Sequence, residues 1–288
     1  RAYLKIQDGC SQFCTYCIIP YARGPVRSRS IDDIAEEVET LAKNGFKEVV
    51  LAGIHVASYG KDLEGTTLLD AIKRVHGVDG IERIRFSSIE PNFATEEFVS
   101  ELAKLPKVCD HFHLSLQSGC NKTLKRMNRK YTAEQYIESA ERLKKYFPNV
   151  AFTTDIIAGF PGETEEDFEE SYKFAEKIGF SKIHAFPYSP KTGTPAAKMS
   201  DQVLNSVKNE RTNRLISLSN RMADEFIEGF VGKIMPVLYE QEIAEGVYEG
   251  YTTNYIRVHS KNDKNLCNVI ADTKIMSVEH ETAEGRIV

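Results

Sequence analysis

Three cysteines fall within eight residues near the start of the chain, at Cys10, Cys14 and Cys17. Their spacing is Cys-x3-Cys-x2-Cys, so one short loop can present all three thiolates. Three thiolates can hold three irons of a cubane [4Fe-4S] cluster, and the fourth iron then has no protein ligand. A small molecule can chelate such an open iron. This is the arrangement needed to reduce S-adenosylmethionine (SAM) and release a carbon radical, which is chemistry that the cofactors supply and the protein positions.

Two other uses of clustered cysteines fit the sequence less well. A structural zinc site needs four ligands, usually in two pairs, and the nearest further candidates, His55 and Cys109, show no paired spacing. A disulfide would leave one of the three neighbouring cysteines over, and nothing else in the chain indicates an oxidising compartment. Ligand count and spacing therefore favour an iron–sulfur triad.

Several longer motifs accompany the triad in a fixed order. Residues 6–29 carry Tyr16 just before the third cysteine and then the run CIIPYARGPVRSR, and later motifs read GIHVASYG at 53–60, HLSLQSGCNKTLKRMNRKYT at 113–132 and AGFPGET at 158–164. On these motifs the chain resembles the radical SAM methylthiotransferases over essentially its whole length. Within that family it is most similar to the MtaB-like branch of tRNA enzymes.

The resemblance implies an enzyme, a tRNA methylthiotransferase that converts N6-threonylcarbamoyladenosine beside the anticodon to its 2-methylthio form. It implies SAM and a [4Fe-4S] cluster as cofactors, and the tRNA anticodon stem-loop and an electron donor as partners, with neither membrane nor DNA involved. The isopentenyladenosine tRNA enzyme and the ribosomal-protein aspartate enzyme are alternatives. A different class, a non-catalytic RNA-binding module with a structural cluster or zinc, stays open.

The family also has an N-terminal domain whose three further cysteines hold a second [4Fe-4S] cluster. The remaining cysteines of this sequence are scattered, at Cys109, Cys120 and Cys267, and are expected to be ordinary packed or surface thiols. We therefore expect the second cluster only in a longer protein.

Strand-like and helix-like segments alternate along the chain in six βα units. Strands are predicted at 3–8, 47–53, 82–88, 111–117, 151–157 and 181–186, and helices at 30–44, 68–76, 95–105, 133–147, after Thr164 and at 200–229. Such alternation predicts a parallel sheet covered by helices. Six units are too few for a closed eight-stranded barrel, and the resemblance implies the (βα)6 partial TIM-like barrel of radical SAM enzymes, over residues 1–229.

Ligands of such sheets bind at the carboxyl ends of the strands. The cofactor-binding candidates beside Tyr16 are the strand-end residues Gly53, Ser88, Glu90, Gln117, Ser118 and Ile157, with Arg129 just beyond them. A guanidinium matches a carboxylate bidentately, so Arg129 could bind the methionyl carboxylate. A polar residue at a strand end is nevertheless more often a turn or cap, and Arg129 could equally be a solvated basic helix end.

Residues 230–288 show no strand–helix alternation. Their sequence predicts short strands at 234–239, 255–259, 266–269 and 274–280, separated by turn-forming residues. They predict a small OB-like all-β barrel, and the run EGYTTNY at 249–255 resembles the TRAM domain. Such barrels commonly bind oligonucleotides. The alternative is a capping domain without a ligand, because this segment is net acidic.

Length, composition and net charge limit the domain organisation and the partners that the chain can have. The chain has 288 residues, 41% of them hydrophobic, which is enough for a large domain and a small one. Its net charge of -5 means that any nucleic-acid surface must be local. Unpaired cysteines and the absence of a long apolar run lead us to expect a cytoplasmic protein. Two groups are expected to have no catalytic role: the histidines His55, His111, His113 and His184 as satisfied polar groups, and Arg211, Arg214 and Arg221 as a solvated helix face.

Overall fold

The computed structural model describes residues 1–288. In chain order its first part consists of β1 (Ala2–Asp8), α1 (Ile19–Arg23), β2 (Arg27–Ser28), α2 (Ile31–Lys43), β3 (Glu48–Gly53), α3 (Leu68–His76), β4 (Arg83–Phe86), α4 (Glu96–Leu102), β5 (His111–His113), α5 (Asn121–Arg126), α6 (Ala133–Tyr146), β6 (Ala151–Ala158), α7 (Glu165–Ile178), β7 (Lys182–Pro187) and α8 (Asn205–Glu228). None of these helices is both long and apolar enough to cross a membrane.

Six strands run parallel in the order of the chain. β1 pairs with β3 and β3 with β4, while β5 pairs with β6 and β6 with β7. Single parallel bridges, Ile84 to Val108 and Ile89 to Leu114, join the two sheets between β4 and β5. The predicted α/β fold with six βα units is thus present. The third and fourth predicted strands, 82–88 and 111–117, are shorter than predicted, because regular pairing stops at Phe86 and at His113.

Local sequence signals explain where the helices begin. The predicted capping box of α6 is present, with the Thr132 hydroxyl accepting from the Gln135 amide and the Gln135 side chain accepting from the Thr132 amide. α7 has the same device at Thr164 and Asp167 and ends at Gly179 in the left-handed conformation. The helices cover the outer face of the strands around one core of 43 buried residues. The strands are therefore held rigidly while their carboxyl ends stay free to carry a site.

Five further strands close into a separate small barrel, which we call the β-domain (230–288). They are β8 (Ile234–Ala244), β9 (Val247–Thr252), β10 (Arg257–Lys261), β11 (Val269–Glu279) and β12 (Thr282–Ile287), in the spatial order β10-β12-β11-β8-β9. The sequence predicts a small all-β barrel over residues 230–288, and the structure has one.

The strand boundaries predicted for the β-domain were partly wrong. β9 and β12 were missed, because their sequences, VYEGYT and TAEGRI, are half polar and contain a glycine. Gly250 is needed where it stands, since a Cβ there would lie 2.5 Å from the Leu238 carbonyl oxygen. In the run at 266–269, Cys267 and Asn268 form a turn, with Asn268 at a φ of 64°, and only Val269 belongs to a strand, β11.

Candidate active site

The cysteine loop leaves β1 through a backbone conformation that only glycine adopts without strain. Gly9 has a φ of +72°, and a Cβ there would lie 1.8 Å from the Pro25 carbonyl oxygen. The loop is then fastened at both ends: the Cys10 amide donates to the Gly24 carbonyl, and the Thr15 amide donates to the Met127 carbonyl, each at 3.0 Å. The three cysteines are therefore fixed over the carboxyl end of β1, as the sequence predicts.

The chemistry of these thiols fits a cluster better than a single metal ion. All three are free, with Cys14 buried and the other two half-buried. No group of three or more Cys, His, Asp or Glu side chains is placed to hold one metal ion, whereas a cubane cluster takes one thiolate per iron and needs no such convergence. Burial raises the pKa of the Cys10 and Cys17 thiols. A positive charge nearby would oppose that effect, and Arg129 Nη1 lies 3.4 Å from Cys14 Sγ.

A buried polar network lies next to the triad and centres on Glu90. Its carboxylate is 3.0 Å from Arg129 Nη2 and 3.0 Å from His55 Nε2, and Gln12 Nε2 donates to it at 3.2 Å. These side chains come from the cysteine loop, the end of β3, the end of β4 and the segment after α5. The structure thus brings the predicted residues Glu90 and Arg129 together. Arg129 is buried rather than solvated, with 7% of its side chain exposed.

The Glu90 network is charged and incompletely satisfied. Burial alone would raise the pKa of Glu90, but the close approach of the His55 imidazole and the charge of Arg129 outweigh it and lower that pKa. Two buried nitrogens, Arg129 Nη2 and His55 Nε2, make no well-aligned hydrogen bond although Glu90 is near. An anionic oxygen together with an under-used guanidinium nitrogen is what a zwitterionic amino acid group requires. The network therefore fits the methionyl end of SAM.

The space around Gly53 and the backbone conformation of Gln117 both restrict which residue types can stand at these positions. A Cβ on Gly53 would lie 2.8 Å from Gln7 Oε1, which accepts a hydrogen bond from the His55 amide. Gln117 has a φ of +66°, unusual for a residue with a side chain. Its amide donates to the Asp155 carbonyl and its carbonyl accepts from the Ile157 amide. Strained backbone of this kind tends to occur at ligand sites.

The other residues predicted to bind the cofactor lie in different surroundings. Tyr16 and Ile157 pack on the same small apolar cluster, where the Tyr16 ring meets Phe160 edge-to-face at 6.4 Å. Ser88 is exposed at the end of β4. The Ser118 hydroxyl, in contrast, accepts from the Cys120 amide at the start of α5, which is the local turn role that strand-end serines often have. Contact of any of these residues with SAM remains a prediction.

Sequence reasoning missed Gln7 and Gln12, and it assigned His55 and Arg211 wrongly. Only the topology brings Gln12 and His55 next to Glu90, and Gln7 Oε1 accepts from the His55 amide. His55 is predicted to be a satisfied polar group, but its buried Nε2 makes no hydrogen bond. Arg211 was expected on a solvated face but is buried, with Nη1 2.8 Å from Glu163 Oε1. The cause is the AGFPGET turn, which places Glu163 against α8.

Comparisons with known proteins agree with this geometry. A sequence profile described as the Radical SAM superfamily matches residues 4–175, which include the triad, Glu90 and Arg129. The chain belongs to the radical SAM superfamily. The predicted membership of the radical SAM superfamily is confirmed, and this membership implies a [4Fe-4S] cluster and SAM.

Two curated relatives match over the whole chain. The threonylcarbamoyladenosine tRNA methylthiotransferase MtaB of Bacillus subtilis is 43% identical over 100% of this chain and 65% of its own length. The tRNA-2-methylthio-N(6)-dimethylallyladenosine synthase of Acetivibrio thermocellus is 44% identical over 100% of this chain and 61% of its own length. The chain thus spans less than two thirds of the length of these two relatives.

Solved radical SAM proteins share the fold at low sequence identity. The radical SAM methyltransferase TsrM from Kitasatospora setae superimposes with a TM-score of 0.57 at 19% identity, covering 68% of this chain and 38% of that one. Coproporphyrinogen III oxidase (HemN) from Escherichia coli gives a TM-score of 0.56 at 14% identity, covering 88% of this chain and 66% of that one.

Proposed function

We propose that this chain is the catalytic part of a radical SAM tRNA methylthiotransferase acting on N6-threonylcarbamoyladenosine beside the anticodon. The observation that carries the proposal is the cysteine triad fastened next to the Glu90–Arg129 network, in a chain 43% identical over its whole length to a threonylcarbamoyladenosine enzyme. Cys10, Cys14 and Cys17 would hold the cluster. Bound together, the cluster and SAM supply a reductively generated carbon radical.

The residues of the chain would bind and orient the cofactor. Glu90 would pair with the ammonium group of the cofactor, and the Arg129 guanidinium, fixed by Tyr131 Oη 3.0 Å from its Nε, would bind the carboxylate. Gly53 leaves room for Gln7, whose Oε1 holds the His55 amide beside the site. Tyr16 and Ile157 supply an apolar surface at the ends of β1 and β6. Each group has a defined position because its own neighbours are buried, which is what precise orientation of a reactive ligand requires.

The β-domain is proposed to contribute to tRNA binding as a TRAM-like barrel, with 1–229 as the radical SAM barrel. Support comes from the closed five-stranded barrel and from its position against the first part of the chain. Exposed positive side chains of the segments that flank the cysteine loop would offer a local phosphate-binding surface despite the negative net charge, and they include Arg23, Arg27, Lys125 and Lys130, of which the first two also face Asp8. A dimethylallyladenosine tRNA substrate is the second candidate, because a relative of that name is 44% identical.

Product analysis tests the proposal. A full-length protein that contains this chain, loaded with iron and sulfide and supplied with reductant and SAM, should convert N6-threonylcarbamoyladenosine in tRNA to its 2-methylthio form, as seen by mass spectrometry of the digested tRNA. Cys14→Ala should abolish the product, whereas Cys267→Ala, on the exposed surface of the β-domain, should not. Absence of any methylthio nucleoside from the unsubstituted protein would contradict the proposal.

A further inference from the structure

Two exposed aromatic side chains lie on the cysteine loop and on the helix that follows it. Phe13 stands directly before Cys14, so their Cα atoms are about 3.8 Å apart, and Tyr21 lies in α1. The two residues are 48% and 58% exposed. Their rings meet edge-to-face, with centroids 5.6 Å apart and an interplanar angle of 77°. Together they form an apolar surface beside the triad, which we call the aromatic rim (Phe13 and Tyr21).

Packing within the chain does not account for a phenylalanine at position 13. Its φ is +51°, a left-handed conformation that glycine and asparagine adopt readily and bulky residues rarely take. Its ring belongs to none of the buried apolar clusters of the chain. The Phe13 carbonyl accepts from Asn128 Nδ2 at 2.9 Å, so the backbone is held in place while the side chain stays half exposed. Strained backbone of this kind is typical of ligand sites, and an exposed ring suits a ligand with an apolar face.

The surface next to the aromatic rim carries an excess of positive charge. Three cations share the single carboxylate of Asp8: Lys5, Arg23 and Arg27. Two positive charges of this group are therefore uncompensated, and one of its members, Arg23, lies two residues after Tyr21 in α1. Close to Phe13, the exposed Lys130 Nζ donates to Asn128 Oδ1 at 2.7 Å. An apolar face flanked by cations matches a nucleotide, which joins a base to a phosphate.

We propose that the aromatic rim stacks on the unpaired base next to the target adenosine in the tRNA loop, an inference that rests on the proposed function. The target base has to leave its own stack to bring an atom to the cofactor beside the triad, and this exposes one face of the neighbouring base. Because Phe13 adjoins Cys14, a base one nucleotide away from the target lies within reach of its ring. Unstacked bases of RNA loops bind to aromatic side chains in this way, and the nearby cations would place the phosphates.

The aromatic rim would position the loop without reading its sequence. Every base has a π-face, so stacking tolerates any base at the neighbouring position. The two rings already contact each other, and the Phe13 backbone is fixed by Asn128, so little freedom is lost when a base binds. The rim would thus stabilise the arrangement in which the target base is turned out of its stack, while it does not touch the reacting atoms.

The first test measures stacking on the cluster-loaded full-length protein with SAM present. Anticodon stem-loops that carry the target N6-threonylcarbamoyladenosine have 2-aminopurine on one side of it or on the other, since stacking quenches the fluorescence of this base. We expect quenching at one of the two positions. Phe13→Leu and Tyr21→Leu should each relieve it and weaken RNA binding by at least about fivefold. Phe46→Leu is the matched control, because Phe46 is also exposed but precedes β3 at the opposite end of the strand, and it should change neither signal.

A second variant separates positioning from a structural role. Asparagine tolerates the left-handed backbone, so Phe13→Asn should keep the full iron content and a thermal unfolding midpoint at least as high as that of the unsubstituted protein. Its KM for the stem-loop should nevertheless rise by at least about fivefold, with kcat little changed. A midpoint that falls together with the RNA affinity would show that the ring supports the loop, and this would overturn the inference.

Two further results would also overturn it. One is unchanged RNA affinity in both Phe13→Leu and Tyr21→Leu. The other is slower reduction of the cluster by an acidic electron-transfer protein in these variants without any change in RNA binding, because the rim would then receive the electron donor. The methylthio product is measured in the same samples. Its absence from the unsubstituted protein contradicts the proposed function, whereas product formation with unaltered RNA binding in both variants contradicts only this inference.

Discussion

Arg85 joins the barrel to the β-domain, and replacing it should lower the free energy of unfolding of the chain. Its side chain lies in β4 and is 2% exposed. It donates from Nε to Glu48 Oε1 at 2.9 Å, from Nη1 to the Thr253 carbonyl at 2.7 Å and from Nη2 to the Thr252 carbonyl at 2.8 Å. Arg83 makes two comparable bonds to the β-domain. The β-domain is thus attached through buried, charge-assisted hydrogen bonds.

The cost of Arg85→Met follows from what the substitution leaves behind. Glu48 would stay buried at 1% exposure, with Arg83 and Arg1 only 3.8 and 3.9 Å away. Removing one member of a buried ion pair typically costs about 3–5 kcal/mol. Methionine fills part of the space of the arginine stem, so the cavity it leaves adds little. We expect the free energy of unfolding to fall by about 3–5 kcal/mol.

Urea unfolding of the chain, followed by circular dichroism, measures this change. The control is Arg74→Met on α3, which breaks an exposed pair with Glu39 and should cost less than about 1 kcal/mol. A loss below about 1 kcal/mol for Arg85→Met would refute the reasoning.

Three further predictions follow from the same structure. Burial lowers the pKa of His111 well below its ordinary value of 6.5, so His111 stays unprotonated in the folded state while it takes up a proton in the unfolded chain. The free energy of unfolding should therefore fall as the pH drops below 6.5. His111→Phe should flatten that dependence in acid titrations. Gly53→Ala places a Cβ 2.8 Å from Gln7 Oε1 and should cost about 1–3 kcal/mol in urea unfolding, unlike Gly77→Ala, where φ is -74° and the nearest heavy atom would be 3.4 Å from the added Cβ. Truncation after Gly229 exposes the two arginines of β4 and should lower the thermal unfolding midpoint of the barrel; an unchanged midpoint would show that the two parts are energetically independent.

The sequence predicts much of the fold because its local signals agree with one another. Apolar strands alternating with capped helices give the six βα units, and the box at Thr132 and Gln135 is found where it was expected. The triad could be identified from the sequence alone, because three thiols within eight residues are close together in any fold. Glu90 and Arg129 could be proposed individually from strand ends and charge, although their pairing could not.

The rest of the site depends on contacts between residues far apart in the chain. His55 and Gln12 meet at Glu90 only because β3, β4 and the cysteine loop end at the same edge. Arg211 looked solvated because its neighbours on α8 are polar, and only the turn at Glu163 explains its burial. β9 and β12 were missed because strands of a small barrel alternate polar and apolar residues over short lengths, which is a weak signal in a single sequence.

The central claim is that Cys10, Cys14 and Cys17 hold a cluster whose open iron receives SAM beside Glu90. The most direct test is anaerobic reconstitution followed by incubation with SAM and dithionite, with 5′-deoxyadenosine measured by liquid chromatography. We predict four irons per chain and formation of 5′-deoxyadenosine, and loss of both in Cys14→Ala but not in Cys120→Ala. A full complement of iron and continued SAM cleavage in Cys14→Ala would contradict the account.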